Sequence, residues 1–331
     1  MTMIADTILK QFRTLSGVSV SDDKKRIDLL LPGGQNGADS RITMVFPGGS
    51  MVFNMIDIRS VEIPVIVADP VKADAALIIN YCHSGRCEIK IPSGECTYLA
   101  AGEIVVYAGQ TINDFYYPSG EYQGFEVIVF FTGTDQDRLS LLEELSVSPA
   151  EIYDTCKDLL YPWIRTADEH IRDFYTSFSY YVERYNGPGL ILLKCIELIA
   201  YLSEMDYSAD PVHRTYCTAS QVEIAKLVRK KIMSDLSVRL TAKALADEFG
   251  ISETSLKNYF RNVYGCGYAE YQHRARMQEA CALLENTDMK ISEIGFHVGY
   301  ATQTKFSAAF KGCYGVSPLE YRRLNRLKKM N

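Results

Sequence analysis

The sequence predicts an α+β multidomain chain: an N-terminal antiparallel β-sandwich or small β-barrel, helices that follow it, and an all-α C-terminal domain. Three observations predict this. Short runs rich in Ile, Val, Tyr and Phe recur between about residues 28 and 131. Helical periodicity takes over from about residue 137. A glycine-centred helical pattern then occurs twice after residue 221. The length of 331 residues suits two or three domains.

The strands come first. RIDLLLP, PVIVADP, ALIINYC, CEIKIP, EIVVYAG and FEVIVFF are separated by Gly, Pro and Asn, the spacing of a sandwich or small barrel. Ser84-Gly85 and Ser93-Gly94 are expected to make hairpin turns. This domain is expected to span 1–136. A helical region over 137–205 follows, with LSLLEEL, AEIYDTCKDLLYPWI, HIRDFYTSFSYYVERY and GLILLKCIELIAYLSEM. The last is apolar nearly all round, so it belongs in a core or against a second copy of the chain. Residues 206–220, DYSADPVHRTYCTAS, are polar and contain proline, and read as a linker. The C-terminal domain then spans 221–331.

Composition excludes several classes. The longest apolar run, Gly189 to Leu202, is broken by Lys194 and Glu197 and falls short of the ~20 residues that cross a bilayer. The N-terminus lacks the basic and apolar regions of a signal peptide. A cytoplasmic protein with no membrane partner is expected. The nine cysteines are odd in number and form no CxxC pair, which suits reduced, buried thiols rather than a disulfide framework or a metal site. The net charge of −6 hides a split. Residues 215–331 carry 18 basic and 11 acidic side chains, against 17 and 30 in residues 1–214. A basic C-terminal domain on an acidic body puts any polyanion contact at the C-terminal end.

The repeated pattern is that of a helix-turn-helix. The first copy is Thr241 to Phe260 and the second Ile291 to Phe310. Two short helices that cross closely need a small residue at the crossing, and Ala246 and Gly295 fill that place. The turn favours glycine, where the backbone goes left-handed, and Gly250 and Gly299 fill it. Leu245, Phe249, Ile251 and Leu256 are expected to flank the first turn in the core, with Ser252 capping the second helix. Phe306 and Phe310 play the anchoring part in the second copy, one residue further from the glycine than Leu256 and Phe260. Met277, Ala280, Cys281 and Leu284 mark a joining helix that fixes the separation of the two units. Two recognition helices so joined can enter successive major grooves, ~34 Å apart.

The segment Leu240 to Arg322 resembles the DNA-binding domain of the AraC/XylS family of bacterial regulators. The specific part is GFHVGYATQTKFSAAFKGCYGVSPLEYR, from Gly295 to Arg322, with Phe306, Phe310-Lys311, Gly315, Pro318 and Tyr321-Arg322 in the family's places. Gly299-Tyr300 stands where Gly-Phe is common. The resemblance implies base contacts from Thr254, Lys257 and Asn258 in the first recognition helix, and from Gln303, Thr304 and Ala308 in the second. Asn and Gln suit adenine, and Lys suits guanine. Arg261, Lys305, Lys311, Arg322 and Arg323 are expected to contact phosphates. The expected partners are double-stranded promoter DNA, RNA polymerase and a second copy of the chain. By resemblance, activation is expected rather than repression.

The strand-rich region resembles the family's cupin-like sensor domain, which implies a small-molecule effector inside the barrel and dimerisation through the helices from His170 to Met205. Alternate strand residues face a barrel interior. Asn80, Cys82 and Ser84 form one alternation, and Tyr81 and His83 the other. Asn80, Cys82, His83, Tyr98, Tyr107, Tyr116 and Phe125 are the candidate pocket residues. No enzyme is expected. His83 is the single histidine of the strand region, so a facial metal triad cannot be assembled and no metal or cofactor is expected. No nucleophile elbow or phosphate loop occurs. Cys82 and Cys87 lack an activating base in any recognisable pattern. The alternative keeps DNA binding but gives the N-terminal domain to a protein partner or to dimerisation alone.

Overall fold

The computed structural model describes residues 17–32, 39–48, 50–59, 75–91, 93–109, 116–131, 142, 144–208 and 214–330, side chains of 327–330 excepted. The expected strand PVIVADP and most of the expected helix LSLLEEL lie outside these residues. The chain divides into two units, 1–216 and 217–331. Among the described residues no helix is long and apolar enough to cross a membrane.

Unit 1 is built on one antiparallel sheet. Its strands are β1 (Val18–Val20), β2 (Arg26–Leu31), β3 (Ser40–Gly48), β4 (Met51–Ile58), β5 (Ala76–Lys90), β6 (Cys96–Ala100), β7 (Glu103–Gly109), β8 (Tyr122–Phe130) and β9 (Trp163–Thr166). The order is β1-β2-β3-β4-β8-β5-β7-β9, with β6 on the far half of β5. Alternation sorts the side chains onto two faces. On one, Phe53, Leu77, Ile79, Tyr81, Phe125 and Val127 pack with helices α1 (Pro149–Lys157), α2 (Glu169–Arg184) and α3 (Gly189–Ser203). On the other, Ile27, Leu29, Val52, Ala76 and Ile78 join Ile56, Ile58, Cys82, Val105 and Tyr122 through the shared contacts of Ile42 and Tyr107. This second face is the barrel interior.

Three expectations change. Ser93-Gly94 makes the β5–β6 turn, but Ser84-Gly85 lies inside β5, which is one strand of 15 residues. The pairing with β8 shifts register between Cys82 and Ser84. Gly85 has φ +88°, and a Cβ there would stand 2.0 Å from the Glu121 carbonyl oxygen. The bulge therefore falls at His83, just before the Ser-Gly pair, where β5 passes from its pairing with β7 to its pairing with β6. Second, the helix expected to run through AEIYDTCKDLLYPWI ends at Lys157, and Trp163–Thr166 pairs with β7 as β9. Its apolar residues satisfy strand and helix patterns alike. Third, much of the expected linker belongs to unit 1. Tyr207 is buried against Trp163 and donates to the Leu202 carbonyl. Arg214 pairs with Glu103 at 2.7 Å, and Tyr216 stacks on Tyr161.

α3 behaves as its composition predicts. Ile191, Cys195, Ile196, Leu198, Ile199 and Leu202 are buried, while Leu193 stays 61% exposed.

Unit 2 is all helical: α4 (Ala219–Ser234), α5 (Ala242–Phe249), α6 (Glu253–Tyr264), α7 (Tyr268–Asn286), α8 (Ile291–His297), α9 (Gln303–Tyr314) and α10 (Pro318–Met330). The long α7 packs against α4 and α6 of the first half and α8 and α10 of the second. Gln272 and Arg276 of α7 reach across to the Leu236 and Val238 carbonyls, which ties the loop before α5 to the joining helix.

Candidate functional site

The two recognition helices, α6 and α9, are set by turn chemistry. In the first unit Gly250 takes φ +64° and closes α5, and the Ser252 hydroxyl accepts the Ser255 N–H at 3.0 Å to open α6. In the second, Gly299 takes φ +82°, and the Thr302 hydroxyl accepts the Lys305 N–H at 3.3 Å to open α9. The second turn holds one more residue between glycine and cap, which accounts for the longer offset of Phe306 and Phe310. Gly299 also has no room for a side chain, because a Cβ would lie 2.7 Å from the Ser237 carbonyl oxygen.

The crossings follow the small residues. Ala246 is buried between the first pair of helices. At Gly295 a Cβ would stand 3.1 Å from Cβ and Cγ of Phe306, so α8 and α9 meet with nothing to spare. Leu245, Leu256 and Phe260 are buried, whereas Phe249 and Ile251 are only half-buried. The second unit rests on Met277, Ala280, Cys281, Leu284, Ile294, Val298, Phe306 and Phe310. Tyr321 closes this core, edge-on to Phe310 and donating to Glu285 at 2.7 Å.

With those faces buried, the opposite faces point outward. Thr254, Lys257 and Asn258 on α6 and Gln303, Thr304 and Ala308 on α9 are all exposed. Lys257 makes a 3.5 Å contact with Glu253, a loose helical pair that DNA can replace. Arg261, Lys305, Lys311 and Arg323 are exposed as well. Arg322 is not. Its Nε donates to the Leu284 carbonyl at 3.3 Å and its Nη2 to the Met289 carbonyl at 2.7 Å. The guanidinium is committed to the end of α7 and the turn before α8, so it staples the fold where a phosphate contact was expected.

In unit 1 the candidate pocket residues divide. Asn80, Cys82 and Tyr107 face the interior. Phe125 and His83 lie on the helix-covered side: Phe125 packs on Phe178 and Tyr81, and His83 stacks on Tyr175 with centroids 4.1 Å apart. Tyr98 points to the other side of the β5–β6 hairpin, where it donates to Glu88 at 2.9 Å beneath Arg86. Tyr116 is half-buried and its carbonyl accepts the Glu88 N–H. Sequence alternation showed which residues share a face but not which face is inside.

The interior holds one group that sequence reading missed. Glu126 is 3% exposed and stands in register between Asn54 of β4 and Asn80 of β5. Asn54 Nδ2 donates to Glu126 Oε2 at 2.9 Å, Asn80 also bonds the carboxyl, and the Asn80 carbonyl accepts from the Tyr122 hydroxyl. Burial raises the Glu126 pKa, opposed by the two amide donors. The signal was a lone carboxylate in the otherwise apolar run FEVIVFF.

A family model described as a helix-turn-helix domain matches residues 245–324. The HTH-type transcriptional activator AarP of Providencia stuartii is 30% identical over 105 residues, covering 32% of this chain and 78% of that protein. The Msm operon regulatory protein of Streptococcus mutans is 30% identical over 132 residues, covering 40% of this chain and 48% of that protein. The chain spans about half the length of the first curated relatives it matches. Among solved structures, the C-terminal domain of AraT, a response regulator from Geobacillus stearothermophilus, is 35% identical with a TM-score of 0.30, covering 30% of this chain and 84% of that one. Two helix-turn-helix units on a joining helix, the motif from Gly295 to Arg322, and the identity to AarP over most of that protein's length place the chain in the AraC/XylS family of DNA-binding transcription regulators.

Proposed function

We propose that the chain binds promoter DNA sequence-specifically as a homodimer and activates transcription through RNA polymerase, under the control of a small-molecule effector held in unit 1. The observation that carries this is the pair of outward recognition faces, Thr254, Lys257 and Asn258 on α6 and Gln303, Thr304 and Ala308 on α9. Each is backed by a buried aromatic anchor and flanked by exposed Lys or Arg. An exposed face of that kind reads base edges, while the flanking cations position it on the backbone.

A polar row buried in an apolar barrel supports the effector, because such a row orients a bound molecule rather than stabilising a core. Tyr180, Tyr185, Leu190 and Leu193 leave apolar surface exposed along α2 and α3 and at the junction between them, which supports the second copy. The test is selection of random duplexes by the full chain, followed by binding of the enriched duplex across salt concentrations. Enrichment of one sequence with two half-sites about one helical turn apart is expected. Binding that is uniform over sequences would overturn specific recognition. The matching test of control is thermal unfolding of the full chain against a metabolite library, where a ligand at a hundredfold excess over its Kd adds about 2.7 kcal/mol. If no compound raises the midpoint, a protein partner replaces the small molecule in this reading.

A further inference from the structure

The polar row in the barrel interior says what kind of molecule fits there. Across the sheet the ladder sets Met44, Asn54, Glu126, Asn80 and Val105 side by side, with Val52, Ile128, Ile78 and Tyr107 in the next row. Everything in these rows is apolar or aromatic except Asn54, Glu126 and Asn80. No Lys or Arg faces the carboxyl from any of the strands that carry it, and among the described residues only Asn54 and Asn80 hydrogen-bond it.

The hydrogen bonds are wired for a negative charge. Asn54 turns its Nδ2 to Glu126. Asn80 gives its carbonyl to Tyr122, which leaves its own amide N–H for Glu126. Gly124 lets the Tyr122 ring take that position, because a Cβ there would lie 2.7 Å from the Tyr122 hydroxyl. Among the described residues this arrangement leaves Asn54 Oδ1 buried with no hydrogen-bond partner. An orphaned buried acceptor is destabilising, and a buried carboxylate without a cation is more so. Both deficits lie together, on Asn54 and Glu126, and one donor with a positive charge satisfies both.

The lining beside them is only partly covered. Ile42, Met44, Tyr107 and Ile128 face the interior, yet each keeps part of its surface open, whereas Thr43, Val45, Val106 and Val127 on the other face of the same strands are buried. Ile128 lies on a central strand, paired on both sides, so its open surface can only look inward. Tyr107, Tyr117 and Tyr122 bring aromatic rings to this interior. Ring faces attract cations.

We propose that the interior of unit 1 binds a small organic cation, an amine on a compact apolar body, with its ammonium group donating to Glu126 and to Asn54 Oδ1. The proposal rests on the reading that unit 1 holds a small-molecule effector. It excludes carboxylates and phosphates, which would meet the Glu126 carboxyl and the Asn54 carbonyl with no cation facing them from these strands.

The test uses the full chain and three probes that share one body: phenethylamine, 2-phenylethanol and phenylacetate. Benzylamine and cyclohexylmethylamine extend the cation arm. The expected result is a concentration-dependent rise in the unfolding midpoint with one or more amines only. Glu126→Gln should weaken that binding at least tenfold. Asn54→Val should weaken it too, and it carries the test if Glu126→Gln does not fold. An equal or larger rise with the alcohol or the carboxylate overturns the cation while leaving a small-molecule effector standing. An amine effect that is the same in both variants places binding elsewhere and overturns the site. No rise with any amine overturns the cation, and the metabolite library then decides separately whether unit 1 holds an effector at all.

Discussion

Arg322→Ala separates two roles that the sequence could not. As a phosphate contact, Arg322 would leave stability unchanged and contribute about 0.9 to the slope of log affinity against log salt. As a staple, it holds the Leu284 and Met289 carbonyls at 3.3 and 2.7 Å. A hydrogen bond involving a charged group contributes about 1.5–3 kcal/mol. The Nε bond is long and the site half-buried, so the pair together should contribute about 2–3 kcal/mol. For a domain near a hundred residues each kcal/mol moves the midpoint by about 4–8 °C, and the variant should unfold roughly 8–24 °C lower. The assay is thermal unfolding by circular dichroism, paired with DNA-binding anisotropy over a salt series below the variant's midpoint. Arg323→Ala, next in sequence and exposed, is the control that should show the reverse. A midpoint for Arg322→Ala within about 1 °C of wild type, with a shallower salt slope, would make Arg322 a phosphate contact and not a staple.

Three other perturbations have distinct signatures. Gly299→Ala forces a Cβ to 2.7 Å from the Ser237 carbonyl oxygen at φ +82° and should cost unit 2 about 1–3 kcal/mol, read as a lower midpoint. Lys311→Ala removes an exposed cation from α9; it should weaken binding evenly across sequences and reduce the salt slope by about 1, with unfolding unchanged. Glu126, whose pKa burial raises, binds its proton more tightly in the folded chain than in the unfolded one. Its favourable contribution is complete below the unfolded pKa and is lost as pH rises through the folded one. Tyr107, Tyr117, Tyr122, Cys82 and Cys87, which share the interior, are all pushed up by burial and stay protonated over that window. Glu126→Gln should therefore gain stability relative to wild type as pH rises from 4 to 8, by about 1.4 kcal/mol for each tenfold weakening of the acid; midpoints of the two proteins across that range check it, and a constant difference between them would contradict the buried carboxyl.

The fold class and the paired helix-turn-helix pattern of the C-terminal domain were legible from the amino acids alone. A helix-turn-helix is specified locally: Ala246 and Gly295 at the crossings, Gly250 and Gly299 in the turns, Ser252 and Thr302 at the caps, and anchors four residues apart all act within twenty residues of chain. The strands were legible for the same reason, through turn residues and apolar runs. Tertiary structure decided whatever depended on a distant partner. Ser84-Gly85 reads as a turn until it is seen paired with the start of β8, and Trp163–Thr166 becomes a strand only because β7 offers an edge. Arg322 looks like any exposed cation until its side chain is followed back to carbonyls more than thirty residues away. Glu126 is the sharpest case. Alternation puts it on a face, but only the register of β4, β8 and β5 places Asn54 and Asn80 on either side of it, because strand pairing joins residues whose separation along the chain carries no local signal.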